Sequence, residues 1–271
     1  MKFDLVSDLH LDFFNRLEIA DDIEKLFCKW FDGSDTETLL IAGDIENCLG
    51  SDKNDLADRF FDFVTKRYDK VIAVLGNHDY WNNFPYYDSE RFNFETMVET
   101  ARTRYDLVRF LSASETIDLG NFVIIGATMW TDVPIVDRPA IQHHMNDYVM
   151  SIHSDGTLLN VNDTSDESVR VRNFLSETVS KNPDRDFVIL THHVPYPCYD
   201  SSRFSKVSGY AYANNLEGFI RDNPNIRLWA FGHTHDSVDT ECGSCRLVCN
   251  PHGYVKFERN SKGYHAKTIE I

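Results

Sequence analysis

Five short apolar runs in this chain each end in a cluster of residues able to hold a metal ion, and that repeated junction limits the fold more than any other feature. Lys2–Ser7 runs into Asp8 and His10, Thr38–Ala42 into Gly43-Asp44, and Lys70–Leu75 into Gly76-Asn77-His78-Asp79. Phe187–Thr191 runs into His192 and His193, and Ile226–Phe231 into Gly232-His233-Thr234-His235. Each run reads as a short buried strand bounded by polar or turn residues. In an open α/β sheet, ligands gather at the carboxyl ends of the strands, so parallel strands would bring all five clusters to one rim. The Asp-x-His and His-x-His spacings suit extended backbone, where residues i and i+2 share a side.

The segments between the runs support a parallel arrangement. Ile19, Ile23, Leu26, Phe27 and Trp30 recur at helical spacing, and so do Leu56, Phe60, Phe63, Val64 and Arg67. The resulting β-α-β-α-β order implies a parallel sheet with covering helices. A helix is expected near Glu90–Tyr105, then a hairpin of Thr116–Leu119 and Phe122–Thr128 about Gly120-Asn121. Thr131–Thr164 has weak periodicity, with Pro134, Pro139 and several Asn and Asp residues. It is expected to be a partly irregular insertion, a lid or substrate element at about 131–165. Helical spacing returns over Val169–Val179 and Leu216–Asp222, and strands are expected at Val238–Glu241, Arg246–Cys249 and Ala266–Ile271. With 271 residues, 42% of them hydrophobic, the chain can bury a substantial core, and a single domain over 1–271 is expected.

An isolated Asp or His after a strand is ordinarily a helix cap or a turn residue, and Asp12 and Asp79 are expected to have such local roles. Five such sites in one chain are a different matter. In their order, Asp-x-His, Gly-Asp, Gly-Asn-His-Asp, Thr-His-His and Gly-His-Thr-His, the chain resembles the calcineurin-like metallophosphoesterase superfamily. The tail Asn250-Pro251-His252-Gly253-Tyr254 resembles an Asn-Pro-x-Gly-Tyr segment of a bacterial and phage branch, as do Trp130-Thr131-Asp132 and Met145-Asn146-Asp147-Tyr148. The resemblance implies an α/β fold of two mostly mixed β-sheets packed as a sandwich, with helices on the outer faces. It implies two divalent ions, the first held by Asp8, His10, Asp44 and His235. The second would be held by Asp44, Asn77, His192 and His233, with Asp44 bridging. Imidazole, carboxylate and amide donors together suit first-row metals better than calcium; manganese is the first expectation, with iron, zinc and nickel as alternatives. The implied reaction is attack on a phosphate ester by a hydroxide bridging the ions, with His78 as general acid. One departure stands out: where some members of the superfamily carry an acid to orient that histidine, this chain has Asn47, with Glu46 beside it. His193 and His252 come near the site by sequence but are not assigned as ligands.

Charge narrows the partners. With 27 basic against 43 acidic residues and a formal net charge of −16, extended duplex nucleic acid and anionic membranes are not expected. A phosphate ester stays open, because bound cations reverse the sign locally. No run approaches the length needed to cross a bilayer. The six cysteines lie in a chain without a signal-like start, which points to reduced thiols in a cytoplasmic setting. Cys242-Gly243-Ser244-Cys245 reads as a hairpin turn, since no second pair follows to complete a zinc site. The function expected is hydrolysis of a small phosphomonoester or phosphodiester. The alternatives are a protein Ser/Thr phosphatase and a non-catalytic module on a decayed metal site, although all seven expected ligand positions are filled. Tyr196, Tyr199, Tyr210 and Tyr212 could stack on a base.

Overall fold

The computed structural model describes residues 1–16, 22–83, 96–199, 202 and 206–271. The first half alternates strands and helices: β1 (Lys2–Val6), α1 (Asp12–Arg16), α2 (Ile23–Trp30), β2 (Thr38–Ala42), α3 (Asp55–Arg67) and β3 (Lys70–Val74). There follow α4 (Met97–Arg104), β4 (Val108–Phe110), β5 (Ile117–Asp118) and β6 (Phe122–Ala127). The insertion carries α5 (Arg138–His144) and α6 (Asp147–Met150), and leads into the long α7 (Val161–Lys181). After it come β7 (Asp186–Thr191), α8 (Lys206–Gly209), α9 (Glu217–Asp222), β8 (Ile226–Phe231), β9 (Val238–Cys242), β10 (Cys245–Cys249) and β11 (Lys267–Glu270).

The strands form two mixed sheets, ordered β11-β1-β2-β3-β4 and β5-β6-β7-β8-β10-β9. Strands β1 to β4 are parallel, as are β6, β7, β8 and β10, while β11, β5 and β9 are antiparallel edges. Alternation along each strand divides the core into layers. Leu40, Ala42, Ile72, Val74, Val188, Leu190, Leu228 and Ala230 pack between the sheets. Their neighbours Leu39, Ile41, Val71 and Ala73 face α2 and α3, sharing a cluster with Phe27, Trp30, Phe60 and Val64. On the far side Ile189, Trp229 and Leu247 share a cluster with Val171, Leu175 and Val179 of α7. Both sheets are therefore covered on both faces, which is why their strands read as continuous apolar runs.

The differences from the sequence expectations are local. Helix α7 begins at Val161, not Val169, because Asn160 and Asp163 form a reciprocal capping box that starts the helix inside a polar stretch. β4 has no counterpart among the expected strands; three residues are too few for periodicity, and its pairing comes from β3. The helix expected from Glu90 is seen from Met97, and positions 90–95, like Ile19, lie outside the described residues. Cys242 and Cys245 face each other across the β9–β10 hairpin and are free thiols, as are the other four cysteines. Among the described residues no helix is long and apolar enough to cross a membrane.

Candidate metal centre

The carboxyl ends of β1, β2, β3, β7 and β8 converge, and all seven sequence-predicted ligand residues meet there. Asp8, His10, Asp44 and His235 offer one ligand atom each within 4.8 Å of one another, and Asp44, His192 and His233 form a second such group. Asp44 belongs to both. Asn77 joins the second group through Oδ1, 2.9 Å from His192 Nε2.

The backbone explains how so many side chains reach one point. Asp8, His10, Asp44, His233 and His235 all have positive φ, between 45° and 76°. Non-glycine residues rarely adopt this left-handed region, and Asp, Asn and His tolerate it better than most. Strain of this kind persists where the surroundings over-determine it. Gly43, at φ +82°, and Gly76 let two of these loops touch. A Cβ on Gly43 would strike the Gly76 backbone and the His192 ring, and one on Gly76 would strike the Asp44 carboxylate. The buried carboxylate of Asp79 then ties the same loops together. It accepts backbone N–H groups from Asp44 (3.0 Å), Gly76 (2.7 Å), Ile45 (2.9 Å) and Glu46 (3.1 Å). Burial and the Asp44 charge push this carboxyl up, to about 7; four donors on its two oxygens favour the ionised form. The local role expected for Asp79 is thus a clamp on the site's framework.

The donor chemistry fits divalent cations. His192 Nδ1 donates to the Ala42 carbonyl (2.8 Å), which turns Nε2 inward to offer a lone pair to a metal or, in its place, to carry a proton; burial would lower its pKa, but the Asp44 carboxylate outweighs it and raises the ring to about 9. Nε2 lies 2.9 Å from Asn77 Oδ1 and 3.4 Å from Asp44 Oδ1. His235 Nδ1 lies 2.8 Å from the Glu258 carboxylate, which turns its Nε2 inward, 3.0 Å from His10 Nε2 and 3.5 Å from Asp8 Oδ1; burial would lower its pKa, but Glu258 and Asp8 outweigh burial and raise it. Acceptors brought together in this way need a cation or a proton among them. Asp8 is fully buried, its Oδ2 has no hydrogen-bond partner among the described residues, and burial raises its pKa. Burial, and after it the neighbouring imidazoles, hold His10 and His233 far below the ordinary histidine range. Both therefore present the neutral rings that metals bind. Burial alone would raise Asp44, but His192 and His78 outweigh it and keep the carboxylate well below its usual range.

His78 sits beside the donors without joining either group. Its ring stacks on Trp81 at 3.6 Å, with Nδ1 3.3 Å from Asn47 Oδ1 and Nε2 3.3 Å from the Tyr254 hydroxyl. Asn47 in turn donates to Asp12 at 3.1 Å. Where the resemblance led us to expect an acid, an amide links the histidine to a carboxylate one step farther away. His193 packs on His233 at 4.1 Å and is held neutral by burial, its pKa lowered to about 3. His252 is buried against Phe14, Trp30 and Tyr264 and belongs to neither donor group.

Three contributors escape a reading of the sequence. Glu258 orients His235, and nothing around it marks it out. Tyr254 lies over the centre, with its ring 4.5 Å from His10 and 4.8 Å from His235. Asp147, in the insertion, accepts from Asn77 Nδ2 (2.7 Å) and Trp81 Nε1 (2.9 Å). The last two lie in segments that carried the resemblance, but no contact could be read from them. The centre opens into a cleft of about 240 Å³ whose wall includes Trp81, Met145, Asn146, Tyr212 and Tyr254.

Known proteins agree with this architecture. A phosphopantetheinyl hydrolase (PptH) of Mycobacterium tuberculosis superposes with a TM-score of 0.68 at 17% identity, over 99% of this chain and 95% of that one. A protein of Thermus thermophilus does so with a TM-score of 0.51 at 10% identity, over 99% and 98%. In sequence, an uncharacterized protein of Acanthamoeba polyphaga mimivirus is 28% identical over 272 residues, covering 94% of this chain and 92% of the relative. The family model for calcineurin-like phosphoesterases matches residues 1–237, from the first residue to just past His235. This chain belongs to the calcineurin-like phosphoesterase family and is a metal-dependent phosphoesterase.

Proposed function

We propose that the chain hydrolyses small phosphate esters, monoesters or diesters, at a pair of manganese ions. Asp8, His10, Asp44 and His235 would hold one ion, and Asp44, Asn77, His192 and His233 the other. The observation that carries this reading is the sharing of Asp44 between two donor groups at the floor of one cleft. When bound, the ions supply positive charge for the phosphoryl oxygens and a nucleophilic water at neutral pH.

The chain's own residues do the rest. His78 lines the cleft, and Nε2, on the side of the Tyr254 hydroxyl, is placed to give a proton to the departing oxygen. Its stacking on Trp81 and the Asn47 contact at Nδ1 fix the ring plane. Trp81, Tyr212 and Tyr254 offer apolar faces to the organic part of the ester. A cleft of about 240 Å³ suits a small ester better than a folded phosphoprotein. Within a single domain over 1–271, the insertion at 131–165 would serve as a substrate element, contributing His144, Met145, Asn146 and Asp147 to the wall of the cleft.

The test is product release from the metal-free protein reloaded with manganese, iron, zinc or nickel. The substrates would be alkyl and aryl mono- and diesters, a nucleotide set, a phosphopantetheine ester and a phosphopeptide. Manganese-supported turnover of small esters is expected, abolished in Asp44→Asn. Two bound ions with no ester hydrolysed would favour the binding-module alternative, and turnover confined to the phosphopeptide would favour the protein phosphatase.

A further inference from the structure

The insertion is joined to the metal loop by an unusual run of side-chain hydrogen bonds. Asn83 takes the Met150 carbonyl through its backbone N–H (2.9 Å) and the Val149 carbonyl through Nδ2 (2.8 Å). Asn82 exchanges two bonds with Ile152, donating from Nδ2 at 3.1 Å and accepting at Oδ1 at 2.8 Å. At the inner end of this seam Asp147, only 3% exposed, accepts from both Asn77 Nδ2 and Trp81 Nε1 on the same oxygen, Oδ1.

An asparagine side chain has a donor end and an acceptor end of nearly equal size, so burial alone does not decide which end faces inward. The partners decide it. Asp147 can only accept when ionised, so the Asn77 NH2 turns to it and the Asn77 carbonyl oxygen turns to His192 Nε2, which itself lies 3.4 Å from Asp44 Oδ1. A flipped amide would present N–H groups where a cation needs a lone pair. Resting on the reading of Asn77 as a ligand, we propose that Asp147 is a positioning residue for the second metal position. Through it, the insertion becomes part of the metal centre. The residues just before Asp147 line the cleft, so the same anchor fixes the substrate wall relative to the ions.

The experiment counts ions, not turnover. Metal-free protein is dialysed against graded manganese and the bound metal is measured per chain, with thermal melts of the metal-free forms as a folding control. Wild type is expected to hold two ions. Asp147→Leu removes the acceptor and is expected to weaken the second ion by about 10–100-fold, the usual effect of losing an outer partner of a ligand. Asp147→Asn keeps an oxygen where Oδ1 stands and is expected to stay within a few-fold of wild type. Adding Asn77→Asp to the Leu variant should restore the second ion, because a carboxylate presents oxygen at either end. Unchanged affinity in Asp147→Leu would overturn the proposal. So would loss of the ion in Asp147→Asn, an isosteric change that answers the question even where the Leu variant does not fold. A wild-type chain holding fewer than two ions would instead refute the metal reading itself.

Discussion

Replacing Asp79 by Asn isolates the clamp beneath the metal loops. The substitution keeps shape and volume but turns one acceptor oxygen into a donor. Of the four backbone N–H groups now bonded to Asp79, two stay on the remaining oxygen and two face an NH2 group, either Ile45 and Glu46 or Asp44 and Gly76. A buried donor left without a partner costs about 1–3 kcal/mol, so two cost about 2–6 kcal/mol. Removing a fully buried charge returns part of its desolvation cost, which places the expected loss in the lower half of that range, at roughly 3 kcal/mol. That is a large share of a typical total of about 5–15 kcal/mol. At about 2–4 °C per kcal/mol for a domain approaching this size, the melting temperature should fall by roughly 6–12 °C. The assay is calorimetry or circular dichroism on metal-free wild type and variant, so that ion binding does not stabilise one more than the other. A variant melting within about 2 °C of wild type would refute the reasoning, because the clamp would then carry none of the predicted energy.

Glu258→Gln removes the negative charge on His235 Nδ1; the first ion's affinity should fall by about 10–100-fold, read as a rightward shift of the manganese dependence of turnover. His78→Ala should slow esters with alkyl leaving groups by about 10²–10⁴-fold and nitrophenyl esters far less; equal losses on both would remove its role as the acid. Asp239 is held down, to about 2, by hydrogen bonds to Arg246 and then by Lys267. A carboxyl with a lowered folded-state pKa contributes stability above its ordinary value and loses it as pH falls through about 2. The group is about a third exposed, so Asp239→Asn should cost no more than about 1 kcal/mol at neutral pH. That gap should narrow as the medium is acidified, as followed by urea unfolding; a constant gap would rule out ion pairing as its source.

How much of this was legible depended on distance along the chain. The strands leading to the site are written locally: Leu39 to Ala42 and Val71 to Val74 are apolar at every position because both faces are covered, and the polar residue closing each run is adjacent in sequence. Convergence at one rim then followed from parallel topology. Asp147 and Glu258 could not be found in this way, since each acts on a ligand 70 or 23 residues away through a contact that exists only after folding. The Asp12–Asn47–His78 chain is similar. The sequence shows that an acid is absent from position 47, but only tertiary packing brings Asp12, 35 residues earlier, to the amide that took its place.

Charge links the last two findings. The described residues lining the cleft include the carboxylates of Asp44, Asp147 and Glu258 and no lysine or arginine. In a chain of net charge −16, a phosphate entering without cations would meet like charge in a poorly screened interior. Asp147 and Glu258 each bond a residue that would hold an ion, Asn77 and His235. The carboxylates that would strengthen the proposed metal sites are thus the same groups that would repel an anion from the metal-free cleft. Metal loading and substrate binding should therefore be positively coupled: the ions should tighten the ester, and an anion that binds the loaded cleft should tighten the metals by the same factor.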